Sequence, residues 1–242
     1  LAPYYAYADH MGELITLEAA RKFLPNWSVT IVKCTHPAGI SETQTCQYCG
    51  KPCNHPKYEN GACTICGTVC KHPEVTESGG VYTCSSCGLQ MAVKVEQGQT
   101  VSYYPQEINP EGADSTLYDI IQSLQNNSTV TLLMDGIRLF ANINNGNTVT
   151  LDLNGKNALE SSNGIELFNN STLKLIGTGS IAANGSSSNS FRMLGGTLDL
   201  SGWAGGNIGT VYVWSGTLKP PAQGGIAKLE LNEEGTRLSG GW

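Results

Sequence analysis

Nine cysteines, all between Cys34 and Cys87, carry the clearest chemistry in this chain. They fall into one phrase written three times: Cys-x-His-Pro, a short loop, then Cys-x-x-Cys-Gly. The first copy is Cys34, His36, Cys46 and Cys49. The second is Cys53, His55, Cys63 and Cys66, and the third is Cys70, His72, Cys84 and Cys87. Every cysteine and three of the four histidines are used, so twelve candidate ligands divide into three Cys3His sets. Cys-x-x-Cys-Gly lets two thiolates converge on one ion, with the glycine allowing the tight turn behind them. Cys-x-His suits the opposite arm, because residues two apart on an extended strand face the same way. The chemistry is structural zinc, three ions in all, each with four protein ligands and no open position for a substrate.

Three rival readings account for less. A disulfide framework leaves one of nine cysteines over and the interleaved histidines unexplained. A redox Cys-x-x-Cys lacks a thioredoxin-like context. Nucleic-acid fingers need clustered basic residues, yet Lys33 to Lys94 holds five lysines, no arginine and four glutamates. Ligand grouping stays open between the in-order sets and a shifted arrangement that joins Cys46, Cys49, Cys53 and His55.

The elements that must position these ligands are sparse. Residues 34–88 contain few large apolar side chains, so burial alone cannot offset their conformational entropy and metal must hold them. The loops between each His and the next Cys are 9, 7 and 11 residues, which suits three small modules in tandem. Residues 1–33 read as the tail of an upstream module or a lid. There Thr16 caps a helix through Leu24, and a strand through Val29 and Ile31 runs into Cys34. Residues 89–112 read as a connector with one strand-like run, Met91 to Val95.

Residues 113–242 read differently. An amphipathic helix over 114–125, N-capped by Asp114 or Ser115, places Leu117, Ile120, Ile121 and Leu124 on one face. A repeated Thr-Leu-x-(Leu/Met/Pro)-x-Gly phrase follows, starting at Thr131, Thr150, Thr172, Thr197 and Thr217, the fifth copy lacking its glycine. Spacing near 20–25 residues with a fixed strand motif marks a solenoid whose turns differ in loop length. A second strand recurs at 165–168, 191–194 and 211–214. The fold expected is mostly β: a short right-handed parallel β-helix, closed at its N-terminal end by the 114–125 helix and preceded by the zinc-stapled repeats.

The expected outward positions are Leu133, Asp152, Lys174, Asp199 and Lys219 on one strand face, and Glu166, Arg192 and Tyr212 on another. They read as charge ladders between coils, not as the paired carboxylates of a glycosidase or the acidic cluster of a calcium-dependent lyase. The alternative function, a fragment of a carbohydrate-active enzyme, is therefore the weaker one. Phe168, Leu194 and Trp214 are expected at one outward position on consecutive coils, with Tyr212 beside them. They read either as residues packed under a loop or as a surface for a host glycan or protein. His10 reads as a surface residue, and the Asn-x-Ser/Thr triplets as chance in an Asn- and Ser-rich chain.

The bulk composition adds limits. Of 242 residues only 14% are charged and 7% aromatic, and the formal charge is −6, which offers no general attraction to nucleic acid or an anionic membrane. No stretch approaches the roughly 20 apolar residues of a membrane span, and no signal peptide is visible. A chain beginning at Leu1 reads as a fragment or processed form.

The run Cys-x-His-Pro … Cys-x-x-Cys-Gly-x-x-Cys-x-His resembles short repeats in large modular surface proteins of Gram-positive, largely gut-dwelling bacteria. Ser115-Thr116-Leu117, Thr129 to Asp135 and Thr148 to Lys156 resemble the opening of their pectate-lyase-like β-helix. Tyr5-Ala6-Tyr7 and Val29 to Cys34 resemble the tail that precedes the cysteine repeats there. The resemblance implies export, surface display, adhesin-like binding and neighbouring modules of the same parent protein as partners. It carries over no catalytic residue.

Overall fold

Apolar residues in this chain sit in short runs bounded by Gly, Asn and Pro, a pattern that makes strands and corners. A computed structural model describes residues 5–23, 29–33, 58–63, 69–107, 115–184 and 188–232. The chain divides into two compact units, residues 1–74 with 85–89 and residues 75–84 with 90–242.

In the first unit, β1 (Tyr5–Ala8), β2 (Leu14–Ile15) and β3 (Thr30–Lys33) form an antiparallel sheet in the order β2-β1-β3, with α1 (Leu17–Phe23) between β2 and β3 in sequence. Asp9 shapes the β1–β2 turn by accepting from the Met11 and Glu13 N–H groups. Thr16 caps α1 as expected, its hydroxyl accepting from the Ala19 N–H at 3.2 Å. A tight hairpin follows, β4 (Tyr58–Glu59) and β5 (Ala62–Cys63), turned by Asn60 and Gly61 in the left-handed region.

The second unit begins with the hairpin β6 (Val75–Ser78) and β7 (Val81–Cys84), then a longer one, β8 (Met91–Gln97) and β9 (Thr100–Pro105). The helix α2 (Thr116–Gln122) is shorter than the 114–125 expected. Its N-cap is Ser115, whose side chain makes no capping bond, and it stops where Ser123 turns its hydroxyl back to the Ile120 carbonyl at 2.7 Å. The predicted apolar face is intact: Leu117, Ile120, Ile121 and Leu124 are all buried in the solenoid core.

The solenoid makes about four turns. Its first coil runs through β10 (Ser128–Leu132) and β11 (Ala141–Ile143). The second uses β12 (Thr148–Asp152), β13 (Asn157–Leu159) and β14 (Ile165–Leu167). The third uses β15 (Thr172–Gly177), β16 (Ser180–Ala182) and the start of β17 (Phe191–Trp203), which bends into the next coil without a break. The strand β18 (Asn207–Lys219) does the same, and β19 (Gly225–Leu231) follows. Neighbouring coils pair in parallel, as in β12–β15 and β14–β17. Every second side chain therefore points into a filled interior, where Leu151, Leu173, Leu175 and Leu198 stack against Leu167, Phe191, Met193 and Val211. Each such side chain contributes about 1.5–3 kcal/mol by leaving water. Corners take asparagine in the left-handed region, at Asn127, Asn145, Asn154 and Asn170.

The register differs from the expected repeat in an instructive way. Thr172 pairs with Thr148, not Thr150, and Ser128 pairs with Val149, so Thr131 and Thr150 do not start equivalent coils. Thr172, Thr197 and Thr217 do align. A two-residue slip leaves the same side chains facing inward, so alternation alone cannot detect it. Two side chains depart from the expected alternation for a different reason, at the end of β10. Leu133 is buried, not outward, because it lies past the end of β10 with its N–H donating to Ala92 of β8. Met134 is only partly buried. The outward row is Thr129, Thr150, Lys174, Asp199 and Lys219, with Asp152 paired to Thr131 and Ile176.

The stretch read as a connector contributes to the solenoid sheet. The strand β8 runs antiparallel to β10, with Val93 opposite Leu132 and Val95 opposite Val130, and its Ala92, Val93 and Val95 enter the core.

Candidate metal centre

The third Cys3His set is assembled by purely local means. Val69 bridges to Ala62, and the Cys70 N–H donates to the Gly61 carbonyl at 2.8 Å, which fixes Cys70 at the end of a short antiparallel pairing. The chain then turns sharply. His72 adopts a left-handed backbone (φ 50°), and its N–H approaches the Cys70 Sγ at 3.4 Å. The hairpin β6–β7 is closed by Gly79 and Gly80, both at positive φ, and brings Cys84 back opposite Val75. The Ser85 N–H donates to the Glu74 carbonyl, and the turn through Cys87 ends at Gly88 (φ 74°), the glycine expected behind the third Cys-x-x-Cys pair.

The outcome is that Cys70, His72, Cys84 and Cys87 present four ligand atoms within 4.8 Å of one another. The His72 Nδ1 lies 3.4 Å from the Cys87 Sγ. A tetrahedral ion with metal–sulfur bonds near 2.3 Å and metal–nitrogen bonds near 2.0 Å needs ligand separations of roughly 3.5–3.8 Å. The group is close to that already. No disulfide is recorded at Cys70, Cys84 or Cys87, so their sulfurs remain available as ligands. Cys70, Cys84 and His72 are buried and Cys87 is half-buried. Burial pushes the His72 imidazole below its usual value, favouring the neutral ring that ligation requires. The donor set can hold one metal ion, with every position filled by protein.

This assembly is the in-order grouping for the third set, not the shifted one, which would place Cys70 and His72 with Cys63 and Cys66. The other ligands fall elsewhere. Cys34, His36, Cys46, Cys49, Cys53, His55 and Cys66 lie outside the described residues, as does the side chain of Cys63, whose backbone ends β5 opposite Tyr58.

The four residues singled out for surface binding do not form one stripe. Phe168 and Leu194 are half-buried. A bulge sets Leu194 opposite Ser215, so Trp214 bulges out of register and stands 52% exposed. Tyr212 is half-buried, with the Arg192 guanidinium 5.9 Å from its ring centre. The expected ladder beside it is present: Arg192 bonds Glu166 at 2.6 Å. On the other face Lys219 bonds Asp199 at 2.9 Å. Burial alone raises Asp199, but hydrogen bonds from Ser201 and Lys219 outweigh it and hold the carboxyl below its usual range.

One buried polar group was not anticipated. Glu160 is 1% exposed and sits on the inward parity of its strand, two residues after Ala158. Its Oε2 accepts from the Ser188 hydroxyl at 2.7 Å, and its Oε1 accepts from the Ser190 hydroxyl at 2.9 Å and from the Thr210 N–H. It ties three successive coils together. The inward parity was the available signal; its partners are 28 to 50 residues away in sequence.

No family model, curated protein or solved structure matches this chain.

Proposed function

We propose that this chain is a non-catalytic structural and adhesive module of a secreted or cell-surface bacterial protein. The observation that carries this reading is the fully protein-ligated Cys3His group at Cys70, His72, Cys84 and Cys87. Four protein donors leave a metal ion no position at which to activate water or substrate, so its contribution is to folding. Thiolates with one imidazole favour zinc, and the same phrase at Cys34 to Cys49 and at Cys53 to Cys66 makes three ions per chain. Zinc binding of this kind supplies about 10–16 kcal/mol per site in small peptides, where few apolar side chains are available.

The solenoid is the presenting element. It is right-handed, following the rule for parallel crossover connections, and α2 caps its N-terminal end. The buried residues of α2 beside β11 support the cap, because β11 is the end strand of its face. Glu166 and Asp199 are each engaged by a cation of a neighbouring coil, which suits stacking better than acid–base chemistry. Export, neighbouring modules as partners and a host glycan or protein as ligand follow from the resemblance of the repeats. The test is a turnover assay for reducing ends or unsaturated products on pectins, mucins and host glycans, run beside adherence to the same glycans and to host proteins. Adherence without turnover is expected. Turnover that saturates with substrate would replace this reading with a carbohydrate-active enzyme.

A further inference from the structure

We infer that the solenoid corner formed by residues 169–172, 195–197 and 215–216 is a binding groove for a neutral oligosaccharide. Three successive turns meet there around a cleft of about 490 Å³, within the range of small-ligand sites. Its lining is asparagine, serine, threonine and glycine, with no ionisable side chain.

Two features of this corner point to a ligand. The first is unused hydrogen-bonding capacity. Ser171 lines the cleft, is 1% exposed, and its hydroxyl has no partner. Buried polar atoms of this kind are uncommon in native proteins and call for an explanation. The side chains of Asn169, Asn170, Thr172 and Thr197 likewise make no hydrogen bond among the described residues. The second is that the backbone is already committed. The N–H groups of Ser171, Thr172 and Thr197 are bonded to the carbonyls of Phe168, Asn147 and Ser171. A peptide adding itself as a strand finds few donors here, so recognition falls to amides and hydroxyls, which serve as both donor and acceptor.

That chemistry selects the ligand class. Phosphates, uronic acids and sulfated sugars need cations that the lining lacks. Apolar ligands would strand the amides. The hydroxyls of an uncharged sugar match the set. The inference deepens the adhesive reading and rests on it, by naming where and to what the module binds.

The experiment uses the full chain on an array of neutral oligosaccharides of glucose, galactose, mannose and N-acetylglucosamine, with polygalacturonate and heparin as anionic comparators. Titration calorimetry then follows on the neutral hits. Three variants are compared: Ser171→Ala, Thr197→Val, and Asn170→Gly, which keeps the left-handed backbone (φ 62°) while deleting the amide. Thermal melts report folding, and Ser171→Ala is expected to melt at or above the parent because its hydroxyl bonds nothing. Neutral sugars should bind, and each variant should weaken them about tenfold, the size of one lost hydrogen bond of 1.4 kcal/mol. Neutral-sugar binding unchanged in all three folded variants would overturn the groove and leave the adhesive reading standing. Binding confined to the anionic polymers, or to host proteins in the adherence assay, would overturn the ligand class. Absence of binding to sugars and host proteins alike would overturn both.

Discussion

Replacing Glu160 tests whether the interior of the solenoid is held by more than apolar stacking. Its carboxylate receives three hydrogen bonds, from Ser188, Ser190 and the Thr210 N–H. Glu160→Ala removes the shared acceptor of all three donors in a site with 1% exposure at its centre. A buried unsatisfied group costs about 1–3 kcal/mol, and the two hydroxyls can rotate toward other acceptors while the Thr210 N–H cannot. The expected loss is about 3–6 kcal/mol. Glu160→Gln keeps one acceptor oxygen for Ser190 and Thr210 and offers Ser188 a donor instead, so it should cost about 1–2 kcal/mol. Gly209 provides an independent check, since a Cβ there would stand 2.0 Å from the Glu160 Oε1. Gly209→Ala should therefore be strongly destabilising in the parent and much less so in the Glu160→Ala background. Urea unfolding followed by the fluorescence of buried Trp203 reads the parent and all four variants. A Glu160→Ala loss below about 1 kcal/mol, equal losses for Ala and Gln, or strictly additive Gly209 and Glu160 effects would refute the reasoning.

Other perturbations have defined outcomes. The folded-state pKa of Asp199 lies below its unfolded value, so its contribution is complete above roughly pH 4 and fades as pH falls through the lower, folded value. Asp199→Asn should cost about 0.3–1 kcal/mol at pH 7, discounted for the half-exposed Lys219, and progressively less as pH falls through the folded carboxyl's lowered range, as comparative melts across pH would show. Gly164 has φ 67°, and a Cβ there would stand 2.6 Å from the Ser190 carbonyl oxygen. Gly164→Ala should lower stability by about 2–4 kcal/mol in urea, and a change within 0.5 kcal/mol would contradict that packing. Leu173→Ala, at a fully buried position between coils, should cost about 2–5 kcal/mol by the same measurement.

Much of this could be read before any coordinates, for identifiable physical reasons. Metal ligands are legible because their spacing is local: Cys70 to Cys87 is eighteen residues of continuous chain, and two turns and one hairpin suffice to close it. The solenoid is legible because each coil repeats the same alternation, and Thr172, Thr197 and Thr217 fall on the same rung. Register was legible only modulo two, which is why Thr131 and Thr150 misled while nearly every inward leucine was correct. Trp214 was misplaced because a bulge adds one residue without any mark in the pattern. The hairpin role of β8 and β9 was half-visible, since Thr100 to Pro105 lacks clear alternation and gains its place only by pairing. The Glu160 tie and the 169–216 corner were invisible because they join residues from three coils, and no short window contains them.

The most direct test of the metal staple is the metal and thiol content of the chain purified without added chelator or reductant. Elemental analysis should find about three zinc ions per chain, and the Cys84→Ser variant should lose one of them. Chelation should then unfold residues 34–88 while the solenoid core around Leu173 and Phe191 stays protected from hydrogen exchange. Chains without zinc, or a full zinc count in Cys84→Ser, would contradict the assignment of Cys70, His72, Cys84 and Cys87 as one closed site.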